Sequence, residues 1–399
     1  MDDSTMVQTE MPTRRDLVKY GGTIIGGGLL AGCTGDDGSG STTTEPSNGD
    51  PESTTAGSET EIHTPAGESY TVSMPPVGEV EFEEVPETWA ANNGSWADMG
   101  IALGQAPPEA VYLTARYHTQ YYDKIPGVSV DKSGMMSLWE SELDVEDFLA
   151  LGEDVDVFVM DSNFLIGRSS NWDQDDIDQI ESAGTPFFGN SSFSRGYEWH
   201  DYEYLSLYGA FEKLAQVFQR QERYEAFETL HQEFQAQVEG IVPSEDERPS
   251  VAIMWPQPLE EPTEFSPYLI DEGTSFKQWR DLGVEDAFAA TSVRDFHSDR
   301  SRIDYETLLE IDPDMLLLRG NEAKTAEEFQ DTVVSFMEDH TVASSLTAVE
   351  NGAVYRGGPL YQGPITNLVL TERAASQAYS IDEELFDRQR ISDIINGEF

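Results

Sequence analysis

The 399-residue chain has a single cysteine, Cys33, and few cations: six lysines and 17 arginines against 76 acidic residues. One thiol cannot form an internal disulfide, and it rules out the multi-cysteine structural zinc sites. No apolar run approaches the roughly 20 residues that a membrane-spanning helix needs. The formal charge of −53 is a poor match for nucleic acid, whose binding rests on cations neutralising phosphates. G-x-S-x-G, H-E-x-x-H and the phosphate-binding P-loop are all missing. Gly26-x-Gly28-x-x-Ala31 fits a dinucleotide fingerprint by spacing alone, without the strand and helix that would give it meaning.

What is present begins at the amino terminus. Arg14-Arg15 precede Leu17-Val18, and the 13 residues from Tyr20 to Gly32 are apolar but rich in glycine. That segment is too short and too glycine-rich for a span, and it fits an export signal with a basic start and a short apolar core. Thr13–Lys19 resembles a twin-arginine signal, and Leu30-Ala31-Gly32-Cys33 resembles a lipobox. The resemblance implies a signal over 1–32, lipid attachment at Cys33, and residence on the outer face of the cell membrane. A chance cysteine in an ordinary cleaved signal is the alternative. Residues 33–61 are Ser, Thr, Gly, Pro and acid, with no aromatic residue, so they cannot bury a core and read as a disordered polar tether.

Self-repulsion at this charge opposes compaction unless salt screens it. The composition resembles that of halophilic archaeal proteins, and no D-x-[DN]-x-[DN]-G loop supports calcium binding instead.

From residue 62 the chain carries short apolar runs, punctuated by helical patterns, in two halves. The first half offers strands at 110–114, 155–161 and 185–189; the second at 250–255, 314–319 and 353–358. Strand alternating with helix predicts an α/β fold of two lobes, 62–201 and 249–399, each built on a parallel sheet. Between them, residues 202–240 hold no proline and keep a helical period through Leu207, Phe211, Leu214, Phe218, Phe227, Leu230 and Phe234. This predicts one long inter-lobe helix, or two with a break near Gln221. A weak repeat links the halves: 143–161 and 303–320 each place an Asp, a Glu two residues on, a short helix, an acidic turn and a buried strand. Glu146 and Glu306 occupy the same place in the two units.

Lipobox, tether, lobe, long helix and second lobe, with the run "LTAVENGAVYRGGPLYQGP", resemble the class III substrate-binding lipoproteins of ABC importers, receptors for iron–siderophore complexes, cobalamin and haem. The resemblance implies a ligand cleft between the lobes, ABC permease subunits as partners and a monomeric receptor. It also implies docking of the permease through Glu146 and Glu306. First-turn glutamates favoured by the helix dipole would look the same. The first unit has Glu153-Asp154 where the family pattern has Pro-Asp, which the second keeps as Pro313-Asp314.

Ligands of α/β sheets sit at the carboxyl ends of strands. The candidates there are Trp96, Arg116, Tyr117, Arg195 and Tyr197 in the first lobe, and Trp255, Arg319, Arg356 and Tyr361 in the second. Aromatic faces suit a bulky chelate, and arginine offers a fork to its oxygens. Ion pairing with the abundant acids is the competing role for each arginine. No cofactor is implied. Direct metal capture would need converging ligands, and only His118, His200 and His297 fall in loops. An anchored hydrolase stays open, because carboxylates are too many to exclude a catalytic pair by counting. Sequons stand at Asn93 and Asn190, the second favoured for a glycan because the first falls at the predicted cleft.

Lowering salt from multimolar to about 0.1 M, where the Debye length grows from about 3 to about 10 Å, is expected to depress the thermal midpoint. Circular dichroism across a KCl series checks this, and a flat midpoint would remove screening from the account.

Overall fold

The computed structural model describes residues 69–139, 144–168, 171–197 and 199–399. The signal, Cys33 and the tether lie outside the described residues, as does Leu143 of the first repeat unit. Residues His63–Phe399 form one compact unit.

That unit opens with an antiparallel hairpin, β1 (Tyr70–Met74) and β2 (Gly78–Phe82), which the sequence reading missed. The first sheet follows: β3 (Trp89–Ala91), β4 (Ala110–Val111), β5 (Met136–Ser137) and β6 (Val157–Val159), ordered β5-β4-β3-β6 and parallel throughout. The second contains β7 (Ser250–Gln257), β8 (Glu264–Tyr268), β9 (Glu285–Asp286), β10 (Met315–Leu318) and β11 (Val354–Arg356). Its order is β11-β10-β7-β8, with β8 antiparallel and β9 pairing the start of β7. The expected α/β class holds. The expected strand at 185–189 is reduced to one bridge, Phe158 with Phe187.

The helices used below are, in chain order, α1 (Gly94–Ala102), α2 (Val145–Leu151), α3 (Gln174–Ala183), α4 (Leu207–Val217), α5 (Gln221–Ile241), α6 (Lys277–Asp281), α7 (Tyr305–Ile311), α8 (Pro364–Tyr379) and α9 (Arg388–Asn396). Of the two expectations for 202–240, the single long helix gives way to two helices with a break just before Gln221. α4 starts at its Ser206 cap rather than at Tyr202, and Gln219 turns left-handed at φ 51° between α4 and α5. The predicted period survives the break: Leu207, Phe211, Leu214, Phe227, Leu230 and Phe234 are all buried on one core.

The repeat is real at the level of hydrogen bonds. Asp144 caps α2 by accepting from the Glu146 and Asp147 amides, and Asp304 caps α7 by accepting from Thr307. Each helix then leads into a buried parallel strand, β6 at the end of the first sheet's order or β10 inside the second's. Asp156 accepts from the Glu87 and Thr88 amides beside β6, at 2.8 and 2.9 Å. Asp314 accepts from the Ser250 amide beside β10, at 2.8 Å. Asp156, rather than Asp154, is thus the counterpart of Asp314, and the first unit carries two extra residues before its strand.

The last two helices do not stay with the second sheet. α8 packs on both α6 and α1, and α9 on α1 and α5, so the end of the chain bridges the two sheets. The joint between α1 and α8 is polar. Asp98, with no exposed surface, accepts from the amides of Ile365 (2.9 Å) and Thr366 (3.1 Å) at the start of α8. Those amides have no partner inside their own helix, and the dipole there favours a carboxylate. Gly363 makes the approach possible, since a Cβ there would stand 2.5 Å from the Asp98 Oδ2.

Burial raises the Asp98 pKa to about 6, against the lowering effect of its hydrogen bonds. A carboxyl raised above its unfolded value favours the fold while protonated, so its contribution is full below about pH 4 and falls as pH rises through 6. Asp98→Asn, which can still accept at the helix start, is expected to flatten stability between pH 4 and 6. Asp98→Ala leaves the amides orphaned and is expected to cost about 2–3 kcal/mol. Denaturant unfolding at several pH values reads both.

Candidate functional site

The carboxyl ends of both parallel sheets meet at one junction. Residues that follow equivalent strands have equivalent places: Asp161 comes two positions after the end of β6, and Arg319 directly after β10. Asp161 is buried and well satisfied. It accepts from the Asn163 amide (3.0 Å) and side chain (2.9 Å), from the Ser191 hydroxyl (3.1 Å) and from Tyr202. Arg319 is buried and poorly satisfied. Its Nη2 donates to the Ser275 carbonyl at 2.5 Å, while Nε and Nη1 have no partner.

The junction is closed in this structure. An aromatic cluster fills much of it, with Tyr112, Phe164 and Phe193 from the first lobe against Tyr361 from the second, and Tyr197 and Trp199 packed beside them. Arg116 lies over the Trp255 ring at 5.2 Å, across the lobes. Ser95 donates toward neither lobe alone: its hydroxyl accepts from the Gln362 amide at 3.1 Å and lies 3.3 Å from the Thr274 hydroxyl. Arg195 donates its backbone amide to Asp271 at 2.9 Å and lays its guanidinium on Tyr204 at 3.9 Å. The Arg356 guanidinium donates to the Lys324 carbonyl.

Four expected arginines therefore meet the junction, and none of them pairs with a carboxylate of a described residue. Arg302, Arg373, Arg388 and Arg390 do, while Arg220, Arg223, Arg248, Arg280, Arg294 and Arg300, away from the junction, do not either, so it is position and not the lack of a pair that sets the four apart. Ion pairing, the competing role, is not what holds Arg116, Arg195, Arg319 or Arg356.

Other candidates moved inward. Trp96 is part of the packed core of α1. Tyr117 is enclosed, its hydroxyl 2.8 Å from that of Tyr122. Trp255 instead walls a surface pocket of about 440 Å3 with Gln257, Leu259, Thr263, Glu264 and Arg302. Glu146 and Glu306 are exposed on the first turns of α2 and α7. Asn93 and Asn190 are both buried, and the Asn190 amide nitrogen donates to the carbonyls of Pro75 (2.7 Å) and Glu203 (3.1 Å). Neither amide is open to a glycan in the folded chain.

The three loop histidines are dispersed among aromatics. Burial pushes His118 and His200 down to about 4, and no cluster of three metal-binding side chains occurs among the described residues. His297 lies 3.0 Å from Asp295 and 3.1 Å from the Ser194 hydroxyl, through the same Nδ1. Ser194 has no exposed surface, so this Ser–His–Asp contact gives an acyl group no approach.

The residues missed by sequence reasoning are Tyr121, Glu322 and Arg373. Glu322 accepts from Arg373 at 2.8 and 3.2 Å and from Tyr121, and takes the Gly358 amide at 2.9 Å. Gln120 of the first lobe donates to its carbonyl at 3.0 Å. Nothing in the sequence distinguishes Glu322 among so many acids.

A family model described as periplasmic binding protein matches residues 156–360, just over half of the chain, and the chain belongs to that family. Among solved structures it is similar to the catecholate-siderophore binding protein VctP of Vibrio cholerae, at 18% identity over 77% of this chain and 100% of that one, with a TM-score of 0.51. It is also similar to the triscatecholate siderophore binding protein FeuA of Bacillus subtilis, at 14% identity over 79% and 99%, with a TM-score of 0.52. The iron uptake ABC transporter substrate-binding protein PiuA of Streptococcus pneumoniae gives 16% over 78% and 99%, with a TM-score of 0.53. At these identities the likeness is one of fold. No curated protein matches the chain. No helix among the described residues is long and apolar enough to cross a membrane.

Burial alone would raise the Glu322 pKa, but Arg373 beside it brings the carboxyl down to about 2. A lowered carboxyl contributes stability above its unfolded value near 4.5 and loses it as pH falls toward 2. Glu322→Gln, which strands the Arg373 charge, is expected to cost about 3–5 kcal/mol at pH 7. Its penalty should shrink as the pH is lowered from 4.5 to 2, as read by thermal melts.

Proposed function

We propose that this protein is the substrate-binding component of an ABC importer, capturing an anionic metal chelate of the ferric siderophore kind, or a related chelate such as cobalamin or haem, at the junction of its lobes. The observation that carries this reading is the gathering of Arg116, Arg195 and Arg356 at the junction, none of them paired with a carboxylate of a described residue, in a highly acidic chain. An anionic ligand supplies the missing countercharge, and the Trp255 ring beside Arg116 supplies a flat apolar face. The neighbouring structures, two of them of siderophore-binding proteins, support the same class of ligand.

Closure of the lobes follows from the same contacts. Ligand that bridges both lobes would favour a closed arrangement over an open one by its differential affinity. Glu146 and Glu306, exposed at equivalent places in the two repeat units, are the proposed contacts with the permease. Cys33 is the proposed lipid attachment site, exported by the twin-arginine route, with the 33–61 segment spacing the receptor from the outer membrane face. The receptor acts as a monomer.

The test is tryptophan fluorescence of a chain beginning at residue 62, titrated in multimolar KCl with ferric siderophores, haem and cobalamin. Saturable quenching by one of them at micromolar concentration or below is expected, and Arg116→Gln or Arg356→Gln should weaken it by about tenfold or more, the scale of one charge-assisted hydrogen bond. Flat titrations by all three in folded protein would overturn the metal-chelate reading.

A further inference from the structure

Arg319 differs from the other unpartnered arginines in one respect: it has no exposed surface. Its guanidinium is enclosed by the Phe276 ring at 4.4 Å and the Tyr268 ring at 5.4 Å. One nitrogen reaches the Ser275 carbonyl, and the other two donate to nothing. A charge taken out of water in this way costs several kcal/mol unless something compensates it.

The sheet places a second orphan on the same face. Met254 pairs with Leu318 and Trp255 with Ser266, and the Arg319 amide bonds the Met254 carbonyl at 2.8 Å. Arg319, Trp255 and Ser266 therefore form one row across β10, β7 and β8. Residues in one row project to one face. Tyr268, two residues beyond Ser266, projects there as well and reaches the guanidinium. The Ser266 hydroxyl is buried and has no partner. Two nitrogens of a cation walled by the Tyr268 and Phe276 rings, and one buried hydroxyl in the same row of the sheet, make a set of unsatisfied donors without an acceptor.

We propose that Arg319 and Ser266 form an occluded site for one small inorganic monoanion of halide size, held between Tyr268, Phe276 and Trp255, which neutralises the buried guanidinium and stabilises the closed junction. A large chelate is excluded because no surface of Arg319 meets solvent. Asp271, Asp295 and Glu322 act on Arg319 only from beyond ion-pair distance. Burial also lowers the Arg319 pKa to about 10, the sign of a charge short of compensation. The site requires no importer ligand, so it stands or falls separately from the reading above.

Bromide is the probe. Crystals of the protein grown or soaked in sodium bromide, measured at the bromine edge, are expected to show an anomalous peak within hydrogen-bond distance of the Arg319 guanidinium. No peak there would overturn the site. In solution, thermal midpoints are compared in sodium bromide and sodium gluconate at equal ionic strength, gluconate being too large for an enclosed site. The wild type is expected to melt about 2–4 °C higher in bromide, with a saturable dependence. Arg319→Met should abolish the difference, and Ser266→Ala should shift the bromide midpoint several-fold upward. A bromide-specific gain that persists in Arg319→Met would overturn the assignment. Were that variant not to fold, the diffraction result and Ser266→Ala would still decide.

Discussion

The contact on which the rest of this structure depends is a carboxylate buried against the start of a helix from the far end of the chain. Asp98 sits on α1, immediately after the first strand of the first sheet, and accepts from two amides that open α8. α8 in turn packs on α6 beside the second sheet. One residue therefore ties the two sheets into a single compact body, and it does so by satisfying donors that no helix can satisfy for itself. The arrangement is costly in isolation, because the carboxylate has lost all contact with water. The helix dipole and the Thr366 hydroxyl replace part of that water, at a place where Gly363 leaves room, and the uncompensated part of the burial shows in a pKa raised to about 6.

Around this joint the polar groups of the interior fall into two kinds. Some are complete: Asp161 with its ring of donors, and Glu322 with Arg373, Tyr121 and the Gly358 amide. These fix the geometry of the loops at the strand ends. Others are incomplete, among them Arg195 and Arg319 but also Ser192, Ser266 and both ring nitrogens of His200. A structure that satisfies Asp161 fourfold, yet leaves two nitrogens of its positional counterpart Arg319 without acceptors, has spent its own hydrogen-bonding capacity unevenly. Countercharge from outside the chain accounts for that imbalance, at the rim through a chelate and in the interior through a small ion.

The aromatic cluster has a related part. Phe193 and Tyr361 meet edge to face at 5.5 Å across the lobes, and Tyr197 stacks on Trp199 at 4.4 Å. Rings of this kind bring large apolar area to the junction without long-range electrostatic demands. In a chain of this charge, contacts between the lobes that do not depend on charge hold at any salt concentration. Arg116 on Trp255, at 5.2 Å, adds a cross-lobe contact in which a cation is offered to an aromatic face, as Arg373 does on Tyr121 at 5.8 Å.

Periodicity and local chemistry, which need only neighbours in the chain, determined much of this protein. The α/β class, the repeat with its Asp and Glu two residues apart, and the apolar face from Leu207 to Phe234 were all legible, because each is set by spacing within one element. So was the placement of Arg319 and Arg356 at strand ends, which can be read from runs such as "DMLLLR", whereas Arg195 follows no strand because the 185–189 run forms only one bridge. The three-dimensional fold alone decided which of these side chains pair and which are enclosed. Asp156 replaced Asp154 as the partner of a neighbouring strand because register across a sheet is a long-range property. Trp96 and Tyr117 went into the core, and Glu322 met Arg373, through contacts between residues far apart in sequence. Asp98 was unreadable for the same reason: its partners stand 267 and 268 residues away, and a buried acid in an acidic chain carries no local mark.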